Sequence, residues 1–166
     1  MAAALDSREL RQAFGLFPTG VVAVCADTGQ ERIGFAASSF VPVSLDPPLV
    51  AFCVQNTSTT WPRLRTAGSL GISVLGELHD VAARTLAAKS GDRFDGLTTV
   101  CSETGALFIE GANLWLDTRI ADEIEAGDHS IIVLRIDEMQ LVPHVYPLVF
   151  HQSRFSRLTR EEEAAS

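Results

Sequence analysis

Long apolar runs are missing from this chain of 166 residues, and nothing in it approaches the roughly 18 consecutive apolar residues of a membrane-crossing helix. Basic residues are scarce too. Thirteen Lys and Arg stand against 21 Asp and Glu, a formal net charge of −8, which argues against a broad nucleic-acid-binding surface. Any phosphate must therefore be met by a local site. The opening Met1-Ala2-Ala3-Ala4-Leu5-Asp6 has neither a basic n-region nor a continuous apolar h-region, so the expectation is a soluble, cytoplasmic protein with no membrane partner.

Cysteine is limited to Cys25, Cys53 and Cys101, widely spaced in apolar surroundings. That pattern predicts buried thiols in a reducing compartment, not disulfides or a zinc cluster. His79, His129, His144 and His151 share no short metal-ligand spacing. Also absent are a phosphate-binding GxxxxGK loop, a GxGxxG turn after a strand, a GxSxG elbow and an HExxH helix, which removes the usual sequence support for four enzyme mechanisms. Asn56-Thr57-Ser58 has the form of a glycosylation acceptor, but without a secretory signal it is a chance match.

What is present is one core's worth of apolar residues, 46% of the chain, with no repeat or internal linker. A single domain over 1–158 is expected, followed by a charged, frayed tail at 159–166. Asp6 with Glu9 three residues on reads as a helix start, with Leu10, Ala13, Phe14 and Phe17 along one apolar face up to Pro18. The β-branched run Val21 to Ala26 begins a strand that turns at Asp27-Thr28-Gly29-Gln30 into a second, Ile33 to Phe40, a hairpin. Leu49–Val54 and Leu70–Leu75 read as strands. Thr60 is placed to cap a short helix, and Glu77–Ala88 is expected as a helix with Leu78, Val81, Ala82 and Leu86 inward. From Leu114 apolar and polar residues alternate, then a turn at Glu125-Ala126-Gly127-Asp128-His129 leads into a long strand from Ser130 to Leu141, and Leu148–His151 with Phe155–Leu158 closes the chain. Seven to nine strands with three helices disfavour a parallel sheet, which needs a helix between most strands, and favour an antiparallel Greek-key barrel.

Several segments carry possible binding chemistry, each with a plainer structural explanation. Ala36-Ala37-Ser38-Ser39-Phe40 and the Ser44-Leu45-Asp46-Pro47-Pro48 turn combine small side chains, which let a flat ring approach the backbone, with hydroxyls; a serine-rich turn explains them as well. Ser58-Thr59-Thr60-Trp61 offers hydroxyls to an anion, or simply a helix cap with Trp61 in the core. Arg93-Phe94 offers a guanidinium for phosphate beside an aromatic, or a salt-bridged turn. His129 at a hairpin could hydrogen-bond a ligand, and His151 could be an interior or a ring-contacting histidine.

Taken in order, Phe17-Pro18-Thr19-Gly20-Val21, Ala37-Ser38-Ser39-Phe40, Ser44-Leu45-Asp46-Pro47-Pro48-Leu49, Ser58-Thr59-Thr60-Trp61-Pro62, Asp92-Arg93-Phe94, Gly127-Asp128-His129 and Phe150-His151 resemble the flavin reductase-like family over residues 8–158. These are the reductase components of two-component flavin monooxygenases. The resemblance implies a mainly β split barrel of the Greek-key, FMN-binding type with about three flanking helices. It also implies a homodimer with FMN or FAD at each subunit boundary, NADH or NADPH as co-substrate, and a separate monooxygenase that receives reduced flavin by diffusion. In that reading His129 sits near the nicotinamide. Ala37, Ser38, Ser39 and Phe40 line the flavin ring, and Ser44, Asp46, Pro47 and Pro48 shape its ribityl region. Ser58, Thr60 and Arg93 meet its phosphate, and Thr19, Trp61, Phe94, His151 and Phe155 complete the cofactor-binding set. A flavin store or sensor without nicotinamide turnover is the alternative. Two positions depart from the family: Ser38 stands where Asn is frequent, and Ser153 replaces a Gly, which would restrict the loop if it requires a positive φ.

Overall fold

A computed structural model describes residues 4–160. In chain order the elements are α1 (Ser7–Gly15), β1 (Thr19–Gly20), β2 (Val22–Asp27), β3 (Arg32–Ala37), β4 (Val41–Leu45), β5 (Pro48–Gln55), α2 (Trp61–Leu64), β6 (Leu70–Val74), α3 (Asp80–Leu86), β7 (Thr99–Cys101), β8 (Leu107–Ile109), β9 (Leu114–Ala126), β10 (His129–Leu141), β11 (Leu148–His151) and β12 (Arg154–Arg157). The protein is thus mainly β, with three helices. Seven strands form one antiparallel sheet in the order β3-β2-β6-β9-β10-β5-β4; β1-β11-β12 and β7-β8 form two smaller sheets. The large sheet is open, with β3 and β4 as its two edges. Residues 38–40 run directly from one edge to the other.

Strand β2 is buried on both faces. Val22, Val24 and Ala26 enter the main core with Phe52, Ile72, Leu116, Ile132 and Leu134, while Ala23 and Cys25 enter a second core with Leu75, Leu86 and Leu107. That double burial accounts for its nearly continuous apolar sequence. The second core requires β8 to lie hard against β6: a Cβ on Gly71 would stand 2.2 Å from the Leu107 carbonyl oxygen, so only glycine permits the crossing.

Several expectations need correction. The structure has twelve strands because β1, β7 and β8, of two or three residues each, are too short to carry a period, and because β4 hides behind Pro42 and a register shift. Proline supplies no N–H but is tolerated on an edge strand. Asp6 does cap α1, its Oδ1 accepting from Arg8 N at 3.2 Å, yet no residue of α1 is buried and Phe14 and Phe17 are exposed. Thr60 makes no side-chain cap to α2; Ser58 Oγ accepts from Trp61 N instead, at 3.1 Å. Among the cysteines only Cys25 is buried, and burial pushes its thiol up to about 12; Cys53 is half-buried and Cys101 exposed. Of the expected tail, residues 161–166 lie outside the described residues.

Helix α3 begins at Asp80, not Glu77, and Leu78 and Val81 face solvent while Ala82, Ala83 and Leu86 are buried. His79 is the reason. Its Nδ1 accepts from Gly76 N at 3.0 Å and its Nε2 lies 3.0 Å from the Glu110 carbonyl, so the imidazole ties this turn to the β8–β9 turn. Accepting at Nδ1 fixes the neutral tautomer with the proton on Nε2. Burial holds the ring's pKa below its ordinary value, outweighing the opposite pull of the Glu110 carbonyl. A lowered folded-state pKa stabilises the protein above the unfolded value and is lost as pH falls through the folded one. Urea midpoints should therefore fall from pH 7.5 to pH 5 more steeply in the wild type than in His79→Ala; equal slopes would remove His79 from the acid response.

Strands β11 and β12 pair His151 with Arg154, leaving Gln152 and Ser153 as the two hairpin residues, at φ 49° and 61°. Both occupy the left-handed region that a two-residue turn of this twist demands. Relieving that strain with glycine gains about 1–2 kcal/mol and gives back about 0.5–1 kcal/mol of chain entropy. Ser153→Gly should thus stabilise the protein by about 0.5–1 kcal/mol in urea unfolding.

Candidate functional site

A cavity of about 730 Å³ opens beside the gap between the two sheet edges. One wall is Phe35, Ala36 and Ala37 of β3 with Ser38 and Ser39; the others are the end of β5, the 57–60 loop, the end of α3 with Lys89 and Arg93, and His129. Ser39 pins the crossing segment, because its Oγ accepts from Cys53 N at 2.9 Å and donates to Cys53 O at 3.2 Å. Ser38, with no such duty, faces the cavity.

Arg93 is built into the wall. Its Nε donates to Ala88 O at 2.9 Å, and its Nη1 donates to Gly34 O at 3.0 Å and Thr60 Oγ1 at 2.8 Å. One guanidinium therefore joins β3, the 57–60 loop and the end of α3, and its Nη2 remains for a ligand.

His129 is held from two directions. Its Nδ1 lies 2.7 Å from Asp128 Oδ1, a contact that keeps the Asp128 carboxyl below the usual carboxylate range. Because an ionised carboxylate only accepts, Nδ1 donates and Nε2 is left for the cavity. The turn is latched by Asn56, whose backbone N donates to Asp128 O at 3.0 Å and whose Nδ2 donates to Gly127 O at 3.1 Å, while Ser130 Oγ donates to Asn56 Oδ1 at 3.1 Å. Both ends of the Asn56 amide are thereby engaged.

Of the residues singled out from sequence, Ala37, Ser38, Ser39, Ser58, Thr60, Arg93 and His129 converge on this cavity. Trp61 and Phe40 do not line it. Trp61 is buried against Phe52, ring centroids 5.6 Å apart, and Phe40 packs on the main core. Phe94 is buried beneath the Arg32 guanidinium, 5.0 Å from its ring centroid, and lines a neighbouring cavity. Ser44 belongs to β4, Asp46 and Pro47 to the turn after it and Pro48 to the start of β5, all outside the lining, and Thr19, His151 and Phe155 lie on the separate β1-β11-β12 sheet. Sequence reasoning passed over Asn56, Cys53 and Lys89. The last had a signal: Lys89 is the only lysine in the chain.

No described residues form a group of three or more His, Cys, Asp or Glu side chains able to hold a metal, and no described helix is long and apolar enough to cross a membrane. The donor set is hydroxyls and cations at one end, suited to phosphate, beside a wall of small side chains suited to a flat ring. The fold and the cavity define the class, a mainly β protein whose large cavity suits a flat, phosphorylated ligand.

The comparisons with known proteins give that class its family. Residues 14–159 match the family described as flavin reductase like domain. The chain is 37% identical over 153 residues to a flavin reductase of Pseudomonas putida, covering 92% of this chain and 90% of that protein. It is 33% identical over 165 residues to the flavin-dependent monooxygenase reductase subunit HsaB of Mycobacterium tuberculosis, covering 98% and 88%. Among solved structures, the NADH:FAD oxidoreductase SgcE6 of Streptomyces globisporus, in complex with NAD and FAD fragments, superposes with a TM-score of 0.88 at 36% identity, covering 99% of this chain and 100% of that one. The chain belongs to the flavin reductase-like family and is an oxidoreductase of that class.

Proposed function

We propose that this chain is an NAD(P)H:flavin oxidoreductase that holds FMN or FAD in the large cavity and supplies reduced flavin to a separate monooxygenase. The observation that carries the reading is the convergence of Ser58, Thr60, Lys89 and Arg93 at one end of a small-residue wall, with His129 on its rim. When bound, the flavin supplies the acceptor for the nicotinamide's hydride, and the protein contributes orientation and distance. Ala37 and Ser38 admit the ring edge. Ser58, Thr60, Lys89 and the open Nη2 of Arg93 hold phosphate. His129 Nε2 orients the nicotinamide, so no covalent nucleophile is required.

In this reading the open sheet curls into a split barrel, an arrangement supported by the 38–40 segment that links its two edges. Two copies associate, which would cover the exposed Phe14 of α1, Phe17 just after it, and Val43 and Leu45 of β4. Thr19, Ser44, Asp46, Pro47, Pro48, His151 and Phe155 would then reach a flavin from the second protomer. One domain over 1–158 and a cytoplasmic setting complete the proposal, the latter consistent with three free cysteines.

The test is a steady-state matrix of NADH and NADPH against FMN and FAD, read as loss of nucleotide absorbance. Turnover with at least one pair is expected. No turnover with any pair overturns the proposal, and stoichiometric flavin binding without nicotinamide oxidation would make the protein a flavin carrier.

A further inference from the structure

We infer that a cavity between the β7-β8 ribbon and the β9-β10 pair binds a small organic cation, an alkylammonium head on a short apolar stem. It shares no lining residue with the large cavity, and the inference does not depend on the flavin reading. His129 lines the one and Glu138 the other, about 30 Å apart along β10 at the rise of an extended strand. The volume is about 250 Å³. That is just below the roughly 300–1,000 Å³ of pockets that take drug-sized molecules, so the occupant is small.

The chemistry follows from one atom. Asp117 lines the cavity and is only 7% exposed. Its Oδ2 accepts from Thr104 Oγ1 at 2.7 Å and from Ser102 Oγ at 3.1 Å, whereas its Oδ1 is buried and finds no hydrogen-bond partner among the described residues. A buried carboxylate oxygen without a donor costs free energy that an N–H brought by a ligand recovers. Glu138, opposite Asp117 in the β9-β10 register, adds a second carboxylate, and none of the described residues lining the cavity is basic. Arg119, two residues further along β9, is committed elsewhere: its Nε and Nη2 donate to Asp137 at 2.6 and 3.0 Å. The other walls are apolar. They are Val100, Met139 and the stacked rings of Phe108 and Trp115, with centroids 5.1 Å apart, and the Trp115 indole N–H is spent on Ile109 O at 2.9 Å. Carboxylates beside aromatic rings attract an ammonium group, and the aliphatic wall takes its stem. Two carboxylates fall short of the oxygen shell that a hard metal cation requires.

Titration of the ¹⁵N-labelled full chain with n-butylammonium, followed by heteronuclear NMR, tests this. The Trp115 indole N–H and the Phe108 and Asp117 amides should shift saturably with a Kd of about 1–10 mM, and n-butanol at the same concentrations should leave them in place. Asp117→Asn, which keeps an acceptor for Ser102 and Thr104, and Glu138→Gln, at an exposed position, should each weaken binding about tenfold. Unchanged amide signals elsewhere show that each variant is folded; if Asp117→Asn does not fold, Glu138→Gln decides alone. No saturable shift, an equal response to n-butanol, or variants that bind like the wild type overturn the inference. Tighter binding of the tripeptide Gly-Lys-Gly than of n-butylammonium would give the cavity to the lysine of another protein and overturn the small-ligand assignment.

Discussion

Replacing His129 by alanine should lower kcat for NAD(P)H oxidation about 10- to 100-fold and change the flavin Kd less than about threefold. The asymmetry follows from where the side chain stands. His129 is at the start of β10, paired with Gln55 at the end of β5, whereas the hydroxyls and cations proposed to hold phosphate are on the 57–60 loop and at Lys89 and Arg93. Removing the imidazole takes nothing from those proposed phosphate anchors. It removes a hydrogen-bonding group whose tautomer Asp128 fixes and whose turn Asn56 latches through two donated bonds. Stopped-flow measurement of hydride transfer, with flavin affinity measured on the same preparation, checks both halves. A larger loss in flavin affinity than in rate would place His129 on the flavin and not on the nicotinamide. Asn56→Ala should give a smaller rate loss in the same direction, since it loosens the turn without deleting the ring.

Arg93→Ala should cost about 3 kcal/mol of stability and lower the melting temperature by about 6–12 °C, the conversion appropriate to a chain of this size. Three hydrogen bonds from one charged group are lost at once. Thr60, a buried residue, loses its donor, and the Gly34 and Ala88 carbonyls lose theirs. Flavin affinity should fall at least tenfold because the 57–60 loop is no longer held to the end of α3. Arg93→Lys should not rescue it, since an ammonium on a flexible stem cannot reproduce the planar fork that meets acceptors on three segments. A melting temperature within 2 °C of wild type would mean that the three bonds contribute no net stability.

Much of the sheet was readable because its long strands obey simple periods. The β2–β3 hairpin and the β9–β10 pair follow from β-branched runs, Gly29 and Gly127, both at positive φ, marking their turns. β4 was unreadable because an edge strand with a proline and a register shift has neither period nor propensity in its favour. In the site, the hydroxyl and small residues were legible since their chemistry is local. The aromatic residues were not. Nothing in the identity of Trp61, Phe94 or Phe40 tells whether a ring points at a ligand or at the core, and here the core claims all three, wholly or in part. Asn56 was invisible for a different reason: its partners lie about 70 residues away, at Gly127 and Ser130.

The bond from Arg93 to Gly34 has one more consequence. Gly34 lies on β3, an edge of the large sheet, and a free edge carbonyl is a template on which a stray strand from another molecule can add. A cation clamped onto that carbonyl occupies an acceptor that an added strand would need. Arg93→Ala frees that acceptor on the β3 edge, and faster concentration-dependent aggregation than wild type, read by light scattering, is the expected result.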